Sequence, residues 1–316
     1  MSRVNEECRE PRPDWLRIRL RTDEKFHRLR SMVEELRLNT VCTEARCPNI
    51  YECWNAGTAT FMILGETCTR SCGFCNVASG RPAPGVDPEE PQHVAEAVAR
   101  LGLGHAVVTS VDRDDLPDGG AAHFHRVIRA VRQRVPSCAV EVLTPDFRRK
   151  ARAVDVVLDA RPEVFAHNVE TVPRLYKTAR PGSSYPGSMA LLAAAAARRE
   201  RDMPSLRVKS SIIIGMGERD EEVVRVMQDL KEAGVDVVTL GQYLQPTRKH
   251  LPVDRFVSPE GFEAYRALGM AMGFAHVESG PLVRSSYHAE RHRADPSRVP
   301  AVPSPGAAGV RLLQIL

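Results

Sequence analysis

Six short runs with β character recur along the chain, "ATFMIL", "HAVVTSV", "CAVEVLT", "EVFAHN", "RVKSSIII" and "VDVVTLGQYL", with a last possible strand at "FAHVESG". Between them lie stretches with helical spacing, among them "PQHVAEAVARLG", "HFHRVIRAVRQR", "SMALLAAAAARRE", "RDEEVVRVMQDLKEAG" and "SPEGFEAYRALGMAMG". Strands separated by helices of this length build βαβ units and a parallel sheet. The fold class expected is therefore α/β, a partial TIM-like (β/α)6 barrel. An open dinucleotide-binding sheet would want GxGxxG after its first strand, and "CTRSCGFC" stands there instead. On a barrel, loops that follow strands open at the catalytic face, so these cysteines fall where chemistry is expected.

A length of 316 residues is enough to bury a sizeable core and suits one barrel with appended segments. The expected organisation is an N-terminal extension with one amphipathic helix (1–40), a cysteine segment (41–57), the barrel (58–280), a polar segment around "RSSY" (281–290) and a flexible tail (291–316). Phe26, Leu29, Val33 and Leu36 fall at helical spacing in the extension. No apolar run is long enough to span a bilayer, and the N-terminus lacks the apolar core of a signal peptide. A reducing, cytoplasmic setting follows as the expectation, and cysteines there are more often ligands or catalysts than disulfides. A net charge of +4 with mixed signs gives no support to nucleic-acid binding. The basic stretch "RIRLRTDEKFHRLR" reads as a solvated face, with an acidic protein partner as the alternative.

Six of eight cysteines lie in two triplets, Cys42, Cys47 and Cys53, then Cys68, Cys72 and Cys75. Neither spacing matches the paired CxxC arms of a zinc ribbon, and no histidine lies at finger spacing. Close-packed thiolates can each ligate one iron of a cubane, which needs four ligands, so each triplet is one short. For the second triplet the missing corner is an open iron able to bind a substrate or cofactor. Its CxxxCxxC spacing, with Phe74 before the last cysteine, resembles the radical S-adenosylmethionine superfamily. There, the open iron is chelated by S-adenosylmethionine, which is cleaved to methionine and a 5′-deoxyadenosyl radical. Cys8 and Cys138 stand alone and receive no role.

"CTEARCPNIYECW" running into "GTATFMILGETCTRSCGFC" resembles the lipoyl synthase family, and the likeness runs nearly continuously from Cys42 to Ala289 through "VVTSVDRDDLPDGGAAHF", "FAHNVETVPRLY", "RPGSSYPGS", "GQYLQPTRKHLPV" and "SGPLVRSSYHA". Asn76 departs from it, standing where an Asp or Ala is usual. The resemblance implies two 4Fe-4S clusters: one on Cys68, Cys72 and Cys75 that binds S-adenosylmethionine, and an auxiliary one on Cys42, Cys47 and Cys53 with Ser286 as fourth ligand. It further implies a sulfurtransferase that inserts two sulfur atoms, at C6 and C8 of a protein-bound octanoyl-lysine, with the auxiliary cluster as donor. The implied partners are octanoylated carriers (glycine-cleavage H protein, lipoyl domains of 2-oxo-acid dehydrogenases), an electron donor and a cluster-assembly or cluster-repair protein, with no nucleic acid and no membrane. Arg17, Arg19 and Arg21 are candidate contacts to such a carrier. Without the resemblance, "RSSYHA" would be an ordinary polar loop.

Candidate S-adenosylmethionine contacts are Gly119 and Gly120 in "DLPDGG", Asn168 and Glu170 in "HNVET", and Arg180 in "TARPGSSY". A plain turn, a helix cap and a surface ion pair are the competing readings for these three groups. Lys209, Ser210, Gln242 and Tyr243 are candidate pocket residues, while His167 and His288 are expected to be structural. The GxG of "IIIGMGE" lacks the remainder of a phosphate loop. Three rivals compete with this reading. Biotin synthases and methylthiotransferases lack the upstream spacing together with RSSY; a two-cluster electron carrier needs neither an open iron nor a barrel; a zinc-stabilised binding module would purify colourless.

Overall fold

The computed structural model describes residues 11–18, 22–55, 59–150 and 152–292. Its strands follow the expected runs: β1 (Asn39–Thr40), β2 (Thr60–Ile63), β3 (His105–Ser110), β4 (Ala139–Leu143), β5 (Val164–Ala166), β6 (Arg207–Ile214), β7 (Val237–Gln242) and β8 (His276–Gly280). They form one sheet in chain order. β1 pairs antiparallel with β2, and every later pair is parallel. "FAHVESG" is a strand and supplies β8, so six β/α repeats are followed by a seventh parallel strand. β1 and β8 are the two edges, and the sheet is not closed.

The helices are α1 (Glu24–Glu35), α2 (Val41–Glu44), α3 (Ile50–Asn55), α4 (Glu90–Leu101), α5 (Ala121–Arg134), α6 (Ala153–Leu158), α7 (Tyr176–Ala179), α8 (Tyr185–Asp202), α9 (Asp220–Glu232) and α10 (Pro259–Ala271). The parallel strands read as near-continuous apolar runs because both faces are covered, and β2 and β7 are buried at every position. Polar caps start the helices where the sequence supplies them: the Ser184 and Ser258 hydroxyls accept from Gly187 N at 3.1 Å and Gly261 N at 3.2 Å. The short α6 had no sequence signal of its own, since Val154 and Val156 alternate with a period of two, as a strand would.

Ahead of the barrel, α1 begins only after Asp23, whose carboxylate accepts from Phe26 N at 3.1 Å. Arg17 therefore precedes the helix and is paired with Asp14 at 2.7 Å, both side chains exposed. Arg19, Arg21, Cys8 and the tail from 293 onward lie outside the described residues. α1 packs on α3 through Phe26, whose ring stacks on Tyr51 at 5.6 Å and meets Trp54 at 5.1 Å. Burial of these rings, with Leu29 and Cys42, makes a small second core beneath the first cysteine triplet. Cys138 is buried in the main core.

Candidate active site

The loops at the C-terminal ends of the strands enclose a cavity of about 480 Å³. Five cysteines line it, Cys42, Cys47, Cys68, Cys72 and Cys75, and Ser286 lines it too. No disulfide joins any of the seven described cysteines. Cys53 is not in the cavity wall; it lies close enough to Tyr287, the neighbour of Ser286, to influence that phenol. Members of both triplets, separate in sequence, thus face a common space.

The second triplet sits in a loop held from several sides. Cys68 N donates to Ala78 O at 2.8 Å and Gly80 N to Cys68 O at 2.9 Å, closing the loop on itself. Gly73 N donates to Ala179 O and Leu251 N donates to Gly73 O, both at 2.9 Å. A Cβ on Gly73 would stand 2.9 Å from the Leu251 side chain and 3.3 Å from the Thr178 carbonyl, so only glycine fits between them. His250 Nε2 donates to Cys75 O at 2.8 Å. Arg70, within the loop, is buried and forks to Asp114 (2.8 and 2.9 Å) and Asp146 (2.6 Å), with Asp112 at 3.4 Å. These acids follow β3 and β4, so the guanidinium ties the cysteine loop to the next two strands.

Burial sets the chemistry of the thiols. It pushes Cys42 and Cys68 up to about 11 and Cys72 up to about 12, and raises Cys47 and Cys75. Neighbouring negative charge adds to this, from Cys47 on Cys42 and from Asp112 on Cys68 and Cys72. Such thiols are poor nucleophiles by themselves, and a bound metal centre would supply the positive charge that a thiolate needs there. Free, clustered, half-buried sulfur atoms converging on one cavity fit iron-sulfur ligation.

Other expected residues divide. Asn168, Glu170 and Arg180 line the cavity. Asn168 Nδ2 donates to Glu170 Oε1 at 3.0 Å, leaving its buried Oδ1 without a partner. Burial pushes the Glu170 carboxyl up against the opposing pull of Arg180, and Glu170 adopts a left-handed φ of 66°. Arg180 donates to Asn168 O at 2.7 Å and leaves its buried Nε unpartnered. Two orphaned polar atoms beside one cavity are what a polar ligand would satisfy.

Gly119 and Gly120 are not in the cavity wall. They form the turn into α5, where the Asp118 carboxylate accepts from Gly120 N at 2.9 Å and Ala122 N at 2.8 Å. A Cβ at Gly120 would come within 2.3 Å of Leu64, so close packing and a φ of 92° account for this glycine. Lys209 is also elsewhere, fully buried, with Nζ 2.7 Å from Glu141. Ser210 accepts from Val169 N at 3.3 Å. Gln242 and Tyr243 do line the cavity, yet the Gln242 amide donates to Arg255 O and the Tyr243 hydroxyl to Leu251 O. His167 lines the cavity with both ring nitrogens already bonded, to Thr144 O and Ser188 Oγ at 2.9 Å each, and burial holds it neutral with a pKa lowered to about 4. His288 contacts Glu278 at 3.4 Å. In "IIIGMGE", Glu218 occupies the Gly215 and Met216 amides, which removes them from any phosphate role.

Sequence reasoning did not single out Arg70, Asp112, Thr60, His250 or Arg284, all set around the thiols. The acidic run "VDRDD" after β3, opposite an Arg inside the cysteine loop, was the available signal for the first two. Arg284 lines the cavity among Cys47 and Glu170, both of which favour its charge against burial.

A barrel of parallel strands with a CxxxCxxC loop after its first parallel strand defines a class, and the radical SAM superfamily is matched over residues 62–230. Among solved structures, HydG, a maturase of the FeFe-hydrogenase, superposes with a TM-score of 0.52 over 69% of this chain at 13% identity; the chain spans half of that longer protein, and the likeness concerns the fold alone. A lipoyl synthase of Rubrobacter xylanophilus is 54% identical over 306 residues, 97% of this chain and 92% of that protein. One from Thermus thermophilus is 54% identical over 281 residues, covering 89% and 86%. The chain belongs to the lipoyl synthase family, and its cofactors are iron-sulfur clusters and S-adenosylmethionine.

Proposed function

We propose that Cys68, Cys72 and Cys75 hold the cluster that binds S-adenosylmethionine, and that Cys42, Cys47, Cys53 and Ser286 hold the auxiliary cluster. The observation that carries this assignment is the convergence of five of the six triplet cysteines and Ser286 on one cavity. When bound, the first cluster with S-adenosylmethionine supplies a hydrogen-abstracting radical, and the second supplies sulfur for C6 and C8 of an octanoyl chain. The chain itself provides the enclosure. Val41, Met62, Phe74, Val111, Leu143 and Leu244 line the cavity with apolar surface suited to an alkyl chain and to excluding water. The orphaned Asn168 Oδ1 and Arg180 Nε fit the polar groups of S-adenosylmethionine, with Glu170 beside them.

The substrate is the octanoyl-lysine of a lipoyl carrier protein, of which a glycine-cleavage H protein and the lipoyl domains of 2-oxo-acid dehydrogenases are the specific candidates. An external electron donor and a cluster-assembly or cluster-repair protein complete the set of partners. A cytoplasmic location accords with this chemistry; among the described residues no helix is long and apolar enough to cross a membrane.

The test is mass spectrometry of an octanoyl-lysine peptide after anaerobic incubation with reconstituted protein, S-adenosylmethionine and a strong reductant, with 5′-deoxyadenosine followed in the same tube. The expected result is gain of two sulfurs, lost in Cys42→Ala while 5′-deoxyadenosine still forms. Sulfur insertion surviving in Cys42→Ala would remove the upstream triplet as donor.

A further inference from the structure

The stretch that carries Ser286 is gripped by the segment that carries the first triplet. Upstream of the serine, the buried Asn49 donates from Nδ2 to Leu282 O at 2.7 Å. Downstream, the Tyr287 hydroxyl donates to Glu52 Oε1 at 3.0 Å. Asn49 and Glu52 both fall between Cys47 and Cys53. At the serine itself, Thr60 Oγ1 donates to Ser286 Oγ at 2.9 Å across 226 residues of sequence. Thr60 is buried on the first residue of β2, where it pairs with Val107 of β3.

Further along, the same stretch is tied to the barrel. His288 Nδ1 lies 3.4 Å from Glu278, and Lys209 Nζ lies 2.8 Å from His292 Nδ1. His276, Glu278 and His292 are close enough to share a cation. The buried Lys209 amine sits between His292 Nδ1 and Glu141 Oε1, 2.7 Å from the latter, and competes with a cation for the same histidine. The group anchors the segment instead.

We infer that Thr60 is a positioning residue for Ser286: its hydroxyl fixes where the serine oxygen stands relative to the first triplet, with Asn49 and Glu52 setting the backbone on either side. This rests on the proposed role of Ser286 as fourth ligand. A hydroxyl oxygen has two acceptor positions, so accepting from Thr60 leaves one for iron. A serine held in this way stays beside the thiols when it is not bound to metal, and rebinding becomes a local step with little ordering cost.

The experiment measures the rate of iron loss to a ferrous chelator from anaerobically reconstituted full-length chains in which Cys68, Cys72 and Cys75 are replaced by Ala, so that only the first triplet holds iron. Thr60→Val is expected to speed the loss roughly three- to ten-fold, the range one hydrogen bond supports, and Thr60→Ser to restore it. In a Ser286→Ala chain, Thr60→Val should add nothing. Equal acceleration by Thr60→Val with and without Ser286 would make Thr60 merely structural and overturn the inference. So would no acceleration by Thr60→Val where Ser286→Ala accelerates, an outcome that leaves the ligand assignment standing. If Ser286→Ala itself changes nothing, the ligand assignment fails and the inference goes with it. Amide exchange of residues 282–288 in the otherwise unaltered chain, expected to rise in Thr60→Val, supplies a second readout if the triple-alanine chain does not fold.

Discussion

At the scale of single residues, Arg70 bears the heaviest electrostatic load. Its side chain is 4% exposed and faces Asp112, Asp114 and Asp146. Removing it would leave buried carboxylates uncompensated, so Arg70→Met should cost about 3–5 kcal/mol in denaturant unfolding. The acid response has a defined sign. Arg70 holds Asp146 down to about 2 against the burial that would raise it, so this carboxylate's contribution is present above its ordinary value of 3.8 and is lost as pH falls through about 2. Asp112, pushed upward mainly by burial, works against it. Unfolding followed from about pH 4 to about pH 2 should show stability falling in the parent and a flatter profile in Arg70→Met. The residue scale is also where the sequence was least legible. Cysteines announce themselves by number and spacing, whereas a buried Arg among acids, or a Thr donating to a Ser far along the chain, has no local pattern. Gly119 and Gly120 show the same limit, since a turn packed on Leu64 and a turn packed on a ligand are spelled alike.

Elements were far easier to read. Every run of β-branched and apolar residues identified in the sequence became a strand, because parallel strands covered on both faces must be apolar at nearly every position. What the pattern could not supply was α6, too short for a helical period, or the β1 pairing, only two residues long. The turn from Gln245 to His250 shows how such irregular pieces matter. His250 bridges Thr247 Oγ1 at 2.9 Å and Cys75 O at 2.8 Å, so a loop following β7 supports the cysteine loop following β2. His250→Ala should lower iron bound by the second triplet and cut 5′-deoxyadenosine formation several-fold, while His250→Gln, which can donate to the same carbonyl, recovers part of it. Iron assay and chromatography of the quenched reaction measure both. Unchanged iron in His250→Ala would show that the remaining contacts suffice.

For the whole molecule, the apolar packing divides into one main core and two smaller groups. The main core runs through β2 to β8 and the helices over them, and the first triplet rests on the smaller group around Phe26 and Trp54. Chelating the iron should therefore leave the far-ultraviolet dichroism of the barrel intact, and faster amide exchange should be confined to residues 41–55, 68–75 and 281–290. Faster exchange through β6 and β7 would mean that the clusters hold the barrel together. The placement of Ser286 has one more consequence, for the time at which the protein becomes competent. During synthesis the loop from Cys68 to Cys75 is complete early, but the partner of Thr60 emerges only after nearly the whole barrel has been made. The proposed auxiliary site is thus closed by one of the last described segments to leave the ribosome. Sulfur could then be lodged securely only in a chain whose barrel is already built.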